Sequence, residues 1–319
     1  MTTEQAPLVS IPEAPVPANG TAEWFHGAEA ARLRAALFLP SGKPRGSVVL
    51  SGGRTEVIEK YYETIGELQA RGFVVLVHDW RGQGLSHRLL PDRLRGHAVG
   101  FADFVTDYRC LLTHFESRLP KPWIALGHSM GGCLTLLSLA HGVPGFSAAV
   151  LSAPMLGLQV GGLPRWLAEG LAATFSRLAP GDYIFGRVGD PHGEDFKDNI
   201  VTHDPVRYAR NRAIYAADPD LGLNGPTWSW LQFALLASQW LKTAEGPTKI
   251  DYPVVCVSAG EEKLVSNPDQ KQILARIPNG RWTQIPGAFH ELLQETDDVR
   301  AAFWREFDAV TASAAPSAG

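Results

Sequence analysis

A chain of 319 residues, 45% hydrophobic and 19% charged, has enough apolar material for one large domain or a domain carrying an insert. Its formal net charge of −4, with both signs mixed and no basic tract, argues against a nucleic-acid partner. Cys110, Cys133 and Cys256 are dispersed among apolar neighbours, which gives neither a disulfide framework nor a zinc site and predicts reduced, buried thiols.

Residues 1–20 lack the basic and apolar regions of a secretory leader, and their prolines and small residues predict a flexible tail. Residues 311–319 read the same way. No apolar run approaches the roughly 18 residues of a membrane span, so a cytoplasmic protein is expected.

From Ala22 onward, strands and helices alternate. Leu33–Leu39 and the apolar run Gly46–Gly53 predict strands, Ile58–Ala70 a helix and Gly72–Trp80 a β-branched strand. Phe101–Phe115 predicts a helix, Trp123–His128 a strand, Met130–His141 a helix and Phe146–Pro154 a strand. Continuous Val/Ile/Leu runs between amphipathic helices indicate an α/β architecture with a parallel sheet covered on both faces. The rhythm breaks over 155–247, where helical patterns and turn clusters contain no β-branched run long enough for a core strand. It resumes with Tyr252–Gly260, Arg281–His290 and a last helix from about Val299. The expected organisation is a core over 21–154 and 248–310, split by a helical cap over 155–247.

Within this pattern, Gly127-His-Ser-Met-Gly131 matches G-x-S-x-G. The match is weak alone but gains meaning from the strand before it and the helix after it, because that turn holds a serine hydroxyl above the sheet. A serine needs a base, itself oriented by an acid. Glu261 and Glu262 follow the strand Val254–Gly260, and His290 lies past the final strand. All are at strand ends on one edge of the sheet, where open α/β folds keep their sites. The amide of Met130, at the helix start, is a candidate oxyanion donor. The glycine pair Gly52-Gly53 points to Arg54 for the second backbone donor.

The segments "GRTEVIEKYYE", "HDWRGQGLS", "GHSMGG", "GEEKLV" and "GAFHELLQE", in this order, cover nearly the whole chain from about Glu23 to Phe307. Together they make the chain resemble the serine hydrolases of the α/β-hydrolase superfamily that include monoacylglycerol lipases and bacterial lysophospholipases. The resemblance implies Ser129 as nucleophile, His290 as base and, of the two acids, Glu262. It departs from the family at Glu262, where aspartate is commoner, and at Gly52-Gly53-Arg54, which replaces the usual His-Gly. It implies an esterase without cofactor or metal, acting on a small-molecule or lipid ester such as a lysophospholipid or monoacylglycerol.

Elsewhere plainer readings are favoured. His128 is expected to pack inside the elbow, and Asp79, Arg81, His87, His97 and Asp107 to have architectural roles. The aromatic stretch Pro226–Leu241 offers Trp228, Trp230 and Phe233 either as core of the insert or as walls of an acyl-chain pocket. A cap of this kind also offers peripheral contact with the inner membrane face. An amide or peptide hydrolase with the same triad would need acidic groups in the cap to hold a free amine, for which Glu194, Asp195, Asp198 and Asp204 are available. A non-catalytic binding protein on this fold is the third reading.

Overall fold

The computed structural model describes residues 4–159, 162–185, 188–190 and 195–315. Its strands are β1 (Gly20–His26), β2 (Arg32–Phe38), β3 (Gly46–Ser51), β4 (Phe73–His78), β5 (Trp123–His128), β6 (Phe146–Ser152), β7 (Val254–Ala259) and β8 (Gly280–Ile285). They form one sheet in the order β1-β2-β4-β3-β5-β6-β7-β8. β2 runs antiparallel to β1 and β4, and the strands from β4 to β8 are mutually parallel. Helices α1 (Tyr62–Ala70), α2 (Ala102–Phe115), α3 (Ser129–Ala140), α4 (Arg165–Leu178), α5 (Pro205–Ala217), α6 (Trp228–Thr243), α7 (Asn267–Leu274) and α8 (Asp297–Ala314) complete it.

The two-residue period of a strand sends alternate side chains to opposite faces. In β4, Val74 and Leu76 enter a core shared with α2, α3 and α6, while Phe73, Val75 and Val77 enter a second core with α1 and α8. Both faces are covered, which is why these strands read as unbroken apolar runs. α3 is buried along its whole length after Ser129, so its sequence is apolar on every side. Between β6 and β7 the described residues contain α4, α5 and α6 and no sheet strand.

Both chain ends differ from the flexible tails expected of 1–20 and 311–319. Residues 4–9 lie along the sheet edge: the Ala6 amide donates to the Ala22 carbonyl and the Trp24 amide to that of Glu4, each at 2.9 Å. The Val9 amide donates to Glu59 at 3.1 Å, and the Tyr62 hydroxyl to the Val9 carbonyl at 3.0 Å. Backbone donors and acceptors on an edge strand bind a proline-rich segment that has no periodicity of its own. At the other end α8 continues to Ala314, and the buried Ala315 carbonyl accepts from Arg45 Nε at 2.8 Å. Residues 1–3 and 316–319 lie outside the described residues.

Charged pairs fasten α5 to the core. Glu63 of α1 lies 2.6 Å from Arg207 and 2.8 Å from Arg210, both on α5, and 3.6 Å from Arg300 on α8. Burial opposes ionisation of Glu63, but the Arg207 hydrogen bond and the Arg300 and Arg210 charges outweigh it and hold its pKa at about 2, below the ordinary 4.5. A depressed carboxylate contributes stability above its unfolded pKa and loses it as pH falls through the folded one. Denaturation followed from pH 5 down to pH 2 is therefore expected to show a loss that Glu63→Gln flattens, by on the order of 1–2 kcal/mol after solvent screening.

Candidate active site

Strand register brings the candidate residues to one edge. Ser51 pairs with Gly127 across β3 and β5, and Ala259 with Ile285 across β7 and β8, so the loops following β3, β5, β7 and β8 all leave at the carboxyl end of the sheet. Ser129 follows β5 directly and takes φ 50°, a left-handed conformation that strains any residue with a side chain. Its glycine neighbours are there for space. A Cβ on Gly131 would meet the Ser51 and Gly52 carbonyl oxygens at 2.3 Å, and one on Gly127 would meet Gly132 Cα at 2.7 Å. The elbow thus packs directly against the loop after β3.

His290 Nε2 lies 2.8 Å from Ser129 Oγ, and His290 Nδ1 lies 2.7 Å from Glu262 Oε2. The His290 and Glu262 side chains are only 5% and 2% exposed, so this path is shielded from water. Glu262 Oε1 accepts from the amides of Leu264 at 2.8 Å and Val265 at 3.2 Å, which fixes the carboxylate in its loop. Burial raises the Glu262 pKa, but the hydrogen bond and charge of His290 and the two amides more than offset it, and the net shift is downward. Glu261 is exposed and joins the site only through its amide, which donates to the Ala288 carbonyl at 2.9 Å. The His290 loop is held on both sides, by the Phe289 amide on Glu295 at 2.9 Å and the Glu291 amide on the Val201 carbonyl at 2.8 Å. Such an arrangement can deprotonate the serine hydroxyl and hold the resulting imidazolium.

The loop after β3 is fastened atom by atom. Trp80 Nε1 donates to the Gly52 carbonyl at 3.1 Å, and Gln83 Nε2 donates to the carbonyls of Gly53 at 2.7 Å and Glu56 at 2.9 Å. The Gly53 amide and the Tyr61 hydroxyl both donate to Glu56 Oε2. The loop sits against the nucleophile, since a Cβ on Gly53 would be 3.1 Å from Ser129 Cβ. With the Gly53 amide engaged by Glu56, Arg54 supplies the next N–H along the loop. Glu56 is itself buried. Its desolvation is outweighed by the charge and hydrogen bond of Lys60, 2.8 Å away, and by the Tyr61 hydroxyl, which keep its pKa at about 2. Sequence reasoning passed over Glu56, Trp80 and Gln83, although a glutamate and a lysine inside the apolar run "VIEKYY" were a signal of a buried ion pair.

The remaining candidates divide. His128 is buried and lies 3.1 Å from the Ser152 carbonyl; burial lowers its pKa to about 4, so it stays neutral. Asp79 joins Arg34 in a fully buried pair at 2.7 Å, Arg81 pairs with Asp107, and His97 meets Thr227 at 3.0 Å, all in supporting roles. Of the three aromatic residues offered either as core or as pocket walls, Trp230 borders a small cleft beside Arg54 and Met130. The other two follow the core alternative: Trp228 stacks on Phe175 at 4.8 Å and Phe233 on Phe104 at 5.3 Å, because α6 uses those positions to join α4 and the core. Among the acids suited to an amine, Asp204 caps α5 and pairs with Arg207, Asp195 lies 3.6 Å from Arg212, and Asp198 is within 4.0 Å of Lys197. Glu194 lies outside the described residues.

The chain matches, over residues 42–297, the family model described as "Serine aminopeptidase, S33". It is 34% identical to Lysophospholipase L2 of Escherichia coli (strain K12) over 268 residues, covering 80% of this chain and 76% of that protein. To the Monoacylglycerol lipase of Mycolicibacterium smegmatis it is 27% identical over 276 residues, 86% of this chain and 91% of that one. Among solved structures, a soluble variant of monoglyceride lipase from Saccharomyces cerevisiae, in complex with a substrate analog, superposes with a TM-score of 0.72. That alignment has 20% identity over 92% of this chain and 95% of that chain, a likeness of fold. The chain belongs to the α/β-hydrolase superfamily, in the family of serine hydrolases described as Serine aminopeptidase, S33.

Proposed function

We propose that the protein is a carboxylic ester hydrolase acting on lipid-like esters, lysophospholipids or monoacylglycerols, through an acyl-enzyme formed on Ser129. The observation that carries this reading is the unbroken path from Ser129 Oγ through His290 to Glu262, at 2.8 Å and 2.7 Å. His290 takes the serine proton as Oγ attacks the ester carbonyl, and Glu262 holds the imidazolium that forms. The amides of Met130 and Arg54 donate to the oxyanion. His290 then protonates the leaving alcohol, activates a water, and returns the proton to Ser129 as the acid departs. Relatives named as lysophospholipase and monoacylglycerol lipase support the substrate class.

On this reading the helical segment between β6 and β7 is a cap over the site. Leu163, Trp166, Leu178 and Phe185 in that segment are 48%, 72%, 75% and 65% exposed, which supports peripheral contact with a lipid surface. No helix of the described residues is long and apolar enough to cross a membrane. Amide hydrolysis is the competing reading. It is weakened by the engagement of Asp195, Asp198 and Asp204 with cations of their own. Fatty-acid release from a lysophospholipid and a monoacylglycerol, measured beside amine release from an aminoacyl p-nitroanilide, tests the choice. Faster turnover of the anilide than of either lipid would reverse it.

Glu56 acts here as a positioning residue, since it fixes the Gly53 amide and thereby aims that of Arg54. Glu56→Gln retains the volume but removes the charge opposite Lys60. It is expected to lower kcat by about 10²–10³-fold, the effect of a lost oxyanion donor, with KM nearly unchanged. An equal rise in KM would indicate a general loosening of the pocket instead.

A further inference from the structure

The loop that carries the second oxyanion donor also carries a cation the ester chemistry does not use. The Arg54 side chain borders a cavity of about 360 Å³ formed by its own loop, α5 and the segment leading into α6. Its Nη1 donates to the Asn224 carbonyl at 2.8 Å, and its Cζ lies 5.6 Å from the centre of the Trp230 ring. No carboxylate among the described residues pairs with it; burial alone acts on it, lowering its pKa to about 10, so it is cationic at neutral pH.

The other charges around the cavity are engaged. Lys60 lies between Glu56 at 2.8 Å and Glu291 at 2.7 Å, and Arg212 lies 3.6 Å from Asp195. Three cationic and two anionic side chains line the cavity, and one of those anions, Glu291, is held by Lys60. The other anion, Asp190, has an interaction of its own, and no carboxylate among the described residues forms an ion pair with the guanidinium of Arg54. A half-buried guanidinium held by a carbonyl and an aromatic ring, with no ion pair, gains when an anion reaches it. Its planar fork of donors matches phosphate oxygens, whereas the hydroxyls of an uncharged glycerol head would leave the charge unpaired. In a lysophospholipid the ester and the phosphate are separated by one glycerol unit, and Arg54 would meet both, the oxyanion with its amide and the phosphate with its side chain.

Building on the ester-hydrolase reading above, we propose that Arg54 is the head-group recognition residue, binding the phosphate of a lysophospholipid and setting a preference for phosphate-bearing lysolipids over uncharged monoacylglycerols. The test compares kcat/KM of the full chain on 1-oleoyl lysophosphatidylglycerol and 1-monooleoylglycerol, which share acyl chain and scissile bond, both in neutral detergent micelles. The wild type is expected to favour the phosphate-bearing lipid. Arg54→Gln keeps the backbone amide and is expected to shrink that preference by about 10- to 100-fold, chiefly through KM, with Arg54→Lys restoring part of it. A preference ratio unchanged in Arg54→Gln, whether both activities fall together or neither falls, would overturn the proposal while leaving the ester-hydrolase reading intact. Failure of the wild type to turn over either lipid would overturn that reading and this proposal with it. Inorganic phosphate added to the monooleoylglycerol assay separates the two sources of the anion. Absence of inhibition supports the lipid head group, and tight inhibition lost in Arg54→Gln would reassign the site to free phosphate.

Discussion

Ser129→Ala is expected to lower kcat on ester substrates by about 10⁴–10⁶-fold while leaving the thermal midpoint near that of the wild type. The loss is large because, among the described residues, Ser129 is the hydroxyl placed 2.8 Å from His290 Nε2. The fold is expected to survive because alanine bears the same left-handed strain at φ 50° as serine and fills less space. Residual turnover would come from the oxyanion donors acting on bound substrate. Because the triad acts as a unit, adding His290→Ala to Ser129→Ala is expected to cost little more. A steady-state rate within tenfold of the wild type would remove Ser129 from the mechanism.

Glu262→Gln is expected to reduce kcat by about 10³–10⁴-fold, and the local hydrogen bonds give the reason. Glu262 Oε1 accepts from two backbone amides while Oε2 accepts from His290 Nδ1. A glutamine has one oxygen, and the amides of Leu264 and Val265 claim it. Its NH₂ is then left facing His290 Nδ1, which must become an acceptor, and the ring proton moves to Nε2. The imidazole that should accept the Ser129 proton would carry one already. Burst and steady-state kinetics of the variant, with KM close to the wild type, check this. A loss below tenfold would mean that Glu262 only shapes the loop.

The parts of the fold and site that were legible in the sequence are those with a periodic or ordered signal. β3 to β7 read as apolar runs because both faces of each strand are covered, and Ser129, His290 and the pair Glu261-Glu262 could be located because each follows a strand at the same sheet edge, the choice of Glu262 coming from the family resemblance. β1 was not legible: "GTAEWFH" has no β-branched run, and its extended form comes from seven residues of pairing with β2. The proline-rich start looked loose for a similar reason, since its hydrogen bonds go to distant partners such as Glu59 and Tyr62. Side chains that bind backbone atoms leave no pattern either, so the anchoring of the loop after β3 by Trp80, Gln83 and Glu56 is visible only in three dimensions. The aromatic residues of α6 showed that something apolar is covered, but not what. Trp228 and Phe233 cover protein, and Trp230 faces the cleft beside Arg54.

The most direct test of the central claim is covalent. The purified chain is incubated with a fluorophosphonate, and the adduct is located by intact mass and peptide mapping. A hydroxyl activated by His290 is expected to give one adduct per chain, on Ser129, and Glu262→Gln is expected to slow its formation in step with kcat. Absence of an adduct, or an adduct on another residue while Ser129 stays free, would contradict the assignment.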